Sequence, residues 1–278
     1  MSRVDAHQHF WRLDRRDYGW LDGAPDVLKR DHLPDELLTE TQRHRINQTL
    51  AVQAAPTVAE TEYLIKLAAQ HVFLAGVVGW VDVSSPEACD TLERLAAYPS
   101  FKGIRPMLQD IEDPRWLLKN GLPEVFETLA QQRLTFDALV LPHQLPTLVE
   151  FVARFPELPI VVDHAAKPRI DGTLDANWLA AMRDLSQSPS VHCKYSGLAT
   201  EVVGEISLET LQPHVEALIE LFTHQRLIWG SDWPVVNLVS SYGEWLKLSE
   251  SLLAGSTEQE LQAVYGENAR RFYSLEDL

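Results

Sequence analysis

Short apolar runs alternate with longer amphipathic stretches from one end of the chain to the other. The runs predict strands over Arg3–His9, Thr49–Gln53, Leu74–Val81, Phe101–Met107, Thr135–Leu141, Ile160–Asp163, Ser190–Tyr195 and Leu227–Gly230. Several are continuous, as in Pro159-Ile160-Val161-Val162 and Leu74-Ala75-Gly76-Val77-Val78. Continuous runs belong to strands buried on both faces of a parallel sheet. The amphipathic stretches predict helices over Thr57–His71, Ser85–Ala97, Leu122–Gln132, Gln144–Phe155 and Leu208–Thr223. Ser85-Pro86-Glu87 predicts a helix start with proline just inside a serine cap.

Eight strand–helix repeats in 278 residues is the arithmetic of a (β/α)8 barrel, which typically takes about 250 residues. The rival, an open doubly wound sheet, calls for a glycine-rich phosphate turn after an early strand, and the chain has none. No linker rich in Pro, Gly or Ser divides the sequence, so a single domain is expected over 1–278. The segment 10–33 departs from the repeat. It follows the first strand and carries Trp11, Tyr18 and Trp20 among many charges. A loop that long at the C-terminal end of a barrel strand is expected to be either a flap packed on the mouth or a lid over a substrate.

Composition narrows the function. With 24 Lys+Arg against 40 Asp+Glu the formal charge is −16, and no basic run occurs. That balance argues against nucleic acid or an anionic membrane as partner. A chain that is 45% hydrophobic and of this length buries a core without disulfide or metal staples. Cys89 and Cys193 form neither a disulfide framework nor a paired metal spacing. The opening residues hold no apolar signal core, and the run Leu74–Val81 is far short of the ~20 residues a spanning helix needs. These features predict a cytoplasmic enzyme with a small-molecule partner and leave a homo-oligomer open.

Candidate chemistry gathers at strand ends. In Asp5-Ala6-His7-Gln8-His9 two histidines sit at i and i+2 of a strand, hence on one face. If that face lines the mouth, both imidazoles converge as a metal site requires. The strand Val161-Val162 runs directly into Asp163-His164, where Asp163 either caps the loop or carries a paired charge and His164 is placed to face the mouth. Leu227-Ile228-Trp229-Gly230 breaks at glycine and presents Ser231 and Asp232, an aspartate placed to hold a water and take its proton or to cap the next helix.

Arg105, Asp137, Lys194 and Gln53 are expected to reach the same cavity, and Trp11 to meet the substrate from the long loop. Hydrogen-bonding groups of both signs suit a polyhydroxylated ligand. Cys193, next to Lys194 in the strand, is expected to point the other way. His32, His44, His71, His143, His214 and His224 fall in loops, turns or helices, where packing roles are the default. No Gly-x-Ser-x-Gly elbow supplies a serine nucleophile.

Taken in order, Asp5-Ala6-His7-Gln8-His9-Phe10-Trp11, Gly103-Ile104-Arg105, Asp163-His164-Ala165-Ala166-Lys167-Pro168, Lys194-Tyr195-Ser196-Gly197-Leu198 and Gly230-Ser231-Asp232-Trp233-Pro234 resemble the amidohydrolase superfamily, in its sugar-lactone hydrolase branch, from Val4 to about Tyr273. The resemblance implies a distorted (β/α)8 barrel and hydrolysis at a carbonyl. It also implies that His7, His9 and Asp232 bind a divalent ion, zinc being the expected one, with His164 as the sixth-strand histidine and Asp232 as the base.

Two departures from the family pattern argue against a two-metal site. No lysine ends the fourth strand, and Asp137 stands where a fifth-strand histidine ligand is common. The expected reaction is opening of a lactone such as L-fucono- or L-rhamnono-lactone, with water activated by Asp232 with or without one divalent metal. The alternatives are a carboxylated pyrone or muconolactone hydrolase, a zinc-dependent decarboxylase, and a non-catalytic sugar-acid binding protein.

Overall fold

All eight apolar runs form strands in the computed structural model, which describes residues 2–276. Position 1 and positions 277 and 278, the outer ends of the expected 1–278 domain, lie outside the described residues. The strands are β1 (Arg3–Gln8), β2 (Ile46–Val52), β3 (Leu74–Gly79), β4 (Phe101–Ile104), β5 (Thr135–Ala138), β6 (Ile160–Val162), β7 (Val191–Tyr195) and β8 (Leu227–Trp229). They pair in parallel, in sequence order, as one eight-stranded sheet. The helices are α1 (Pro34–His44), α2 (Val58–Gln70), α3 (Ala88–Ala96), the short α4 (Trp116–Asn120), α5 (Pro123–Gln131), α6 (Leu145–Arg154), α7 (Ala176–Ser186), α8 (Leu208–Phe222), α9 (Tyr242–Leu252), α10 (Glu258–Gln262) and α11 (Asn268–Phe272). A helix thus covers every crossover, as a (β/α)8 barrel requires.

Local boundaries differ from the expected ones where turn chemistry intervenes. The α3 helix begins at Ala88 rather than at a Ser85 cap. Residues 85–87 instead form a turn in which the Ser85 hydroxyl accepts the Glu87 N–H at 3.2 Å and the Ser85 carbonyl accepts Ala88 N–H at 3.1 Å. Strands β3, β4 and β5 stop two to three residues short of the expected ends, because the chain turns outward there to build the mouth.

Two apolar layers hold the barrel. One lies between sheet and helices and includes Phe126, Phe136 and Phe151, with Phe126 and Phe151 centroids 4.7 Å apart. Cys193 belongs to this layer, pointing away from the interior as expected. The other fills the floor of the barrel with Val4, Ala6, Leu50, Val52, Val78, Val161 and Ile228, stoppered by Tyr273 and Leu275. Each such side chain contributes about 1.5–3 kcal/mol on burial.

The seam between β8 and β1 is the irregular one. Among the described residues it has no regular strand ladder. It closes beyond the strand ends, where His9 N–H donates to Trp233 O at 2.8 Å and Gln8 bridges Trp233. Gly230 lets the chains approach this closely, since a Cβ there would sit 2.6 Å from His7 Cβ. Strand β1 is also bulged: Asp5 pairs with Thr49 but Gln8 with Ala51, three residues against two. The extra residue re-phases the strand. Asp5 faces Tyr242 on the outer helix α9, whereas Ala6 packs in the floor and His7 turns inward to Lys194.

Residues 10–33 lie on the mouth as an ordered flap. Trp11 and His32 exchange backbone hydrogen bonds at 3.1 and 3.0 Å, tying its two ends together. Trp11, Tyr18, Leu21 and Leu28 form a satellite core with Ala54 and Ala55. No helix among the described residues is long and apolar enough to cross a membrane.

Candidate active site

The two histidines of β1 and the aspartate after β8 meet. His7 Nε2 lies 3.2 Å from His9 Nε2 and 3.7 Å from Asp232 Oδ1, and His9 Nε2 lies 3.4 Å from the same oxygen. Tetrahedral zinc with bonds of about 2.0–2.1 Å separates its ligands by about 3.3 Å, so the three atoms fit the face of such a site. The tautomer of His9 fits as well. His9 Nδ1 is 2.8 Å from the carbonyl of Val52 and donates to it, which leaves the Nε2 lone pair free. His7 Nδ1 lies 3.0 Å from the Lys194 ammonium and 3.5 Å from Asp163 Oδ1, and Arg105 Nη1 stands 3.4 Å from its Nε2. A second triad, His7, Asp163 and His164, shares His7 with the first.

Burial sets the protonation states. It lowers the pKa of His7, with the Lys194 ammonium adding to the effect; it lowers His9 in the same way, and it takes His164 down to about 4. All three are therefore neutral near pH 7. For Asp232 burial acts the opposite way, but His164, the hydrogen bond with His9, and His7 outweigh it and hold the carboxyl well below its usual range. Asp232 is therefore ionised near pH 7.

His164 reaches the site on an unusual backbone. From His164 to Lys167 four consecutive residues have φ between 51° and 60°, a left-handed turn that costs roughly 1–2 kcal/mol per residue. The Trp178 indole donates to Ala165 O at 2.8 Å and holds that turn. Gly197 makes room for the imidazole, because a Cβ there would sit 2.4 Å from His164 Nδ1. That nitrogen is 2.9 Å from Ser196 Oγ, so Nε2 faces Asp232, 3.9 Å from Oδ1.

Above these groups a cleft of about 200 Å³ opens to the mouth. Of the residues expected in it, His9, Trp11, Arg105, His164 and Asp232 line its wall. Asp137, Lys194 and Gln53 do not, and neither does the fully buried His7. Lys194 and Asp137 lie beneath the site as a buried ion pair, Nζ to Oδ2 at 2.5 Å. Lys194 also stands 3.0 Å from both Asp163 Oδ1 and His7 Nδ1, and Tyr273 donates to Asp137 Oδ2 at 2.8 Å from the floor. Strand alternation assigns the inward face correctly for both residues but carries no information on depth. Gln53 is used as a brace: its Nε2 donates to the Arg105 carbonyl at 2.8 Å.

Several contributors escape sequence reading. Asp163 is no loop cap; it is fully buried between His7, Lys194 and Arg105, whose Nη1 is 3.6 Å from Oδ2. Asp5 accepts from His7 N–H, Ser231 N–H, Ser231 Oγ–H and Tyr242 O–H at 3.2, 2.8, 2.6 and 3.1 Å. Trp20, Gln109, Asp110 and Lys167 complete the cleft wall. An acid closing an apolar strand was the available signal for Asp163 and the aromatic loop 10–33 the one for Trp20; nothing local marks Gln109 and Asp110.

A family model described as Amidohydrolase matches residues 4–275. The chain is 42% identical, over 99% of its length and 96% of the relative's, to an L-fucono-1,5-lactonase of Burkholderia ambifaria. It is 37% identical, over 98% and 96%, to an L-fucono-1,5-lactonase of Burkholderia multivorans. Among solved structures, an amidohydrolase from Burkholderia multivorans with bound zinc superposes with a TM-score of 0.90 at 36% identity, covering 99% of this chain and all of that one. The chain belongs to the amidohydrolase family.

Proposed function

We propose that the protein hydrolyses a sugar-acid lactone, of the L-fucono- or L-rhamnono-lactone class, to the open aldonic acid. The observation that carries this reading is the convergence of His7, His9 and the ionised Asp232, the last two on the wall of a cleft that Trp11, Trp20 and hydrogen-bonding groups also line. The relatives named L-fucono-1,5-lactonase support the substrate class.

Asp232 takes a proton from a water whose oxygen adds to the ring carbonyl. Arg105, on the cleft wall, faces the negative charge that develops on the carbonyl oxygen. When the adduct collapses the ring C–O bond breaks, and the proton returns to the ring oxygen from Asp232 or through His164 Nε2 beside it. His7, His9 and Asp232 would hold a single divalent ion, zinc in this reading, which when bound supplies Lewis-acid polarisation and a more acidic water. Lys194, which donates to His7 Nδ1 and is itself held by Asp163, keeps the His7 ring oriented.

The relatives named L-fucono-1,5-lactonase favour this substrate class over a dicarboxylate pyrone. The reading includes a cytoplasmic location, supported by two cysteines that are not joined to each other. A lactone panel with a pH indicator tests it: acid release from a deoxy-sugar lactone is expected, and binding without acid release would replace the enzyme with a binding protein.

A further inference from the structure

One buried carboxylate has no part in the chemistry above. Glu60, in the first turn of α2, is fully buried and points back at the end of β2. Its Oε1 accepts Ala54 N–H at 2.9 Å and its Oε2 accepts Ala55 N–H at 3.0 Å. The other edges of those two peptides are also occupied. The Gln53 carbonyl, which shares a plane with Ala54 N–H, accepts a hydrogen bond from Arg105 Nη2. The Ala54 carbonyl, which shares a plane with Ala55 N–H, accepts the Trp20 indole N–H at 2.8 Å. Peptide units are rigid planes, so fixing the N–H direction fixes the direction of the C=O. Hydrogen bonds at both ends of a peptide also polarise and strengthen one another.

We infer that Glu60 is a positioning residue. By orienting two consecutive peptide planes it aims the Arg105 guanidinium into the cleft through Gln53 O and seats the flap through Ala54 O and Trp20. The Arg105 half rests on the proposed lactone hydrolysis; the flap half does not. Glu60 touches neither the cleft nor the His7–His9–Asp232 cluster, so its influence on catalysis runs through the backbone of 53–55.

Two measurements on the full-length protein test this. Glu60→Gln, which keeps the volume but sets an amide N–H₂ against one of the backbone donors, is expected to lower kcat/KM about 10-fold in the wild-type background. In an Arg105→Lys background it is expected to cost less than twofold, because the group it positions is already lost. Equal losses in both backgrounds would reduce Glu60 to a merely structural residue. In hydrogen exchange, Glu60→Gln is expected to speed exchange in segments 10–33 and 53–56 while the segment 135–162 keeps the wild-type rate.

Trp20→Phe provides a second variant, which deletes the indole donor together with part of the ring. It is expected to speed exchange at Ala55 N–H, on the opposite edge of the same peptide. Unchanged exchange in 53–56 for both variants would overturn the inference. If the wild-type protein opens no lactone, the functional reading has failed and the exchange results alone decide the positioning role.

Discussion

The backbone N–H of Asp232 donates to the carbonyl of His7 at 2.8 Å, so the proposed base and a proposed metal ligand are tied together across the β8–β1 seam. Asp5 reinforces the same seam with its four donors. Burial raises its carboxyl to about 6, the hydrogen bonds offsetting part of the effect. Tyr242→Phe removes one donor far from the cleft and is expected to cost about 1 kcal/mol in urea denaturation. Asp5→Ala leaves His7 N–H, Ser231 N–H and two hydroxyls without their acceptor, and is expected to cost at least about 3 kcal/mol. A loss for Asp5→Ala no larger than that for Tyr242→Phe would show that the seam does not depend on this carboxylate.

Asp232→Asn preserves shape and removes the base. Lactone hydrolysis is expected to fall at least ~10²-fold, with the thermal midpoint close to wild type. An unchanged rate removes Asp232 from the chemistry.

The ligand geometry makes metal stripping informative. Dialysis against a strong chelator is expected to abolish most of the activity, and one equivalent of zinc to restore it. Full activity in the stripped protein would leave His7 and His9 as hydrogen-bonding groups only.

Much of this was legible in the sequence. Eight strand-like runs, several of them continuous, gave the strand count because strands buried on both faces leave a run that no surface helix imitates. His7, His9, His164 and Asp232 stood out because ionisable groups ending apolar strands have to face something polar. Depth was not legible: Lys194 and Asp137 lie on the inward face, fully buried as an ion pair and off the cleft wall. The β1 bulge was equally hidden, since an extra residue leaves no mark on hydrophobic periodicity that a short strand could reveal. Asp5 and Glu60 act by accepting backbone N–H groups, which every residue but proline possesses, so no pattern of side chains announces them.

The buried pair beneath the site makes a stability prediction. Lys194→Met removes the cation standing between Asp137 and Asp163, leaving two carboxylates in the barrel interior without their ammonium partner. Breaking such a pair costs about 3–5 kcal/mol. Loss of less than about 1 kcal/mol in chemical denaturation would mean that water or protonation compensates the two acids.

His192 offers a pH test away from the chemistry. Burial, with Arg226 nearby, lowers it to about 4 from its ordinary 6.5. Between those values the unfolded chain binds a proton that the folded chain does not. The contribution of this group is therefore complete above pH 6.5 and disappears as pH falls toward 4, by up to about 3 kcal/mol. His192→Phe, which can pack on Phe272 as the imidazole does, is expected to flatten that part of the stability curve relative to wild type. Parallel curves for the two proteins would contradict the assigned shift.

The stopper formed by Tyr273 and Leu275 bears on how the molecule comes into being. During synthesis His7 and His9 leave the ribosome long before strand β8, and the tyrosine that bonds Asp137 follows later still. Contacts this distant in sequence close slowly. The first imidazoles must wait, exposed, for almost the entire polypeptide, and a nascent chain arrested before Tyr273 would lack the plug beneath the barrel floor and leave Asp137 without its tyrosine donor.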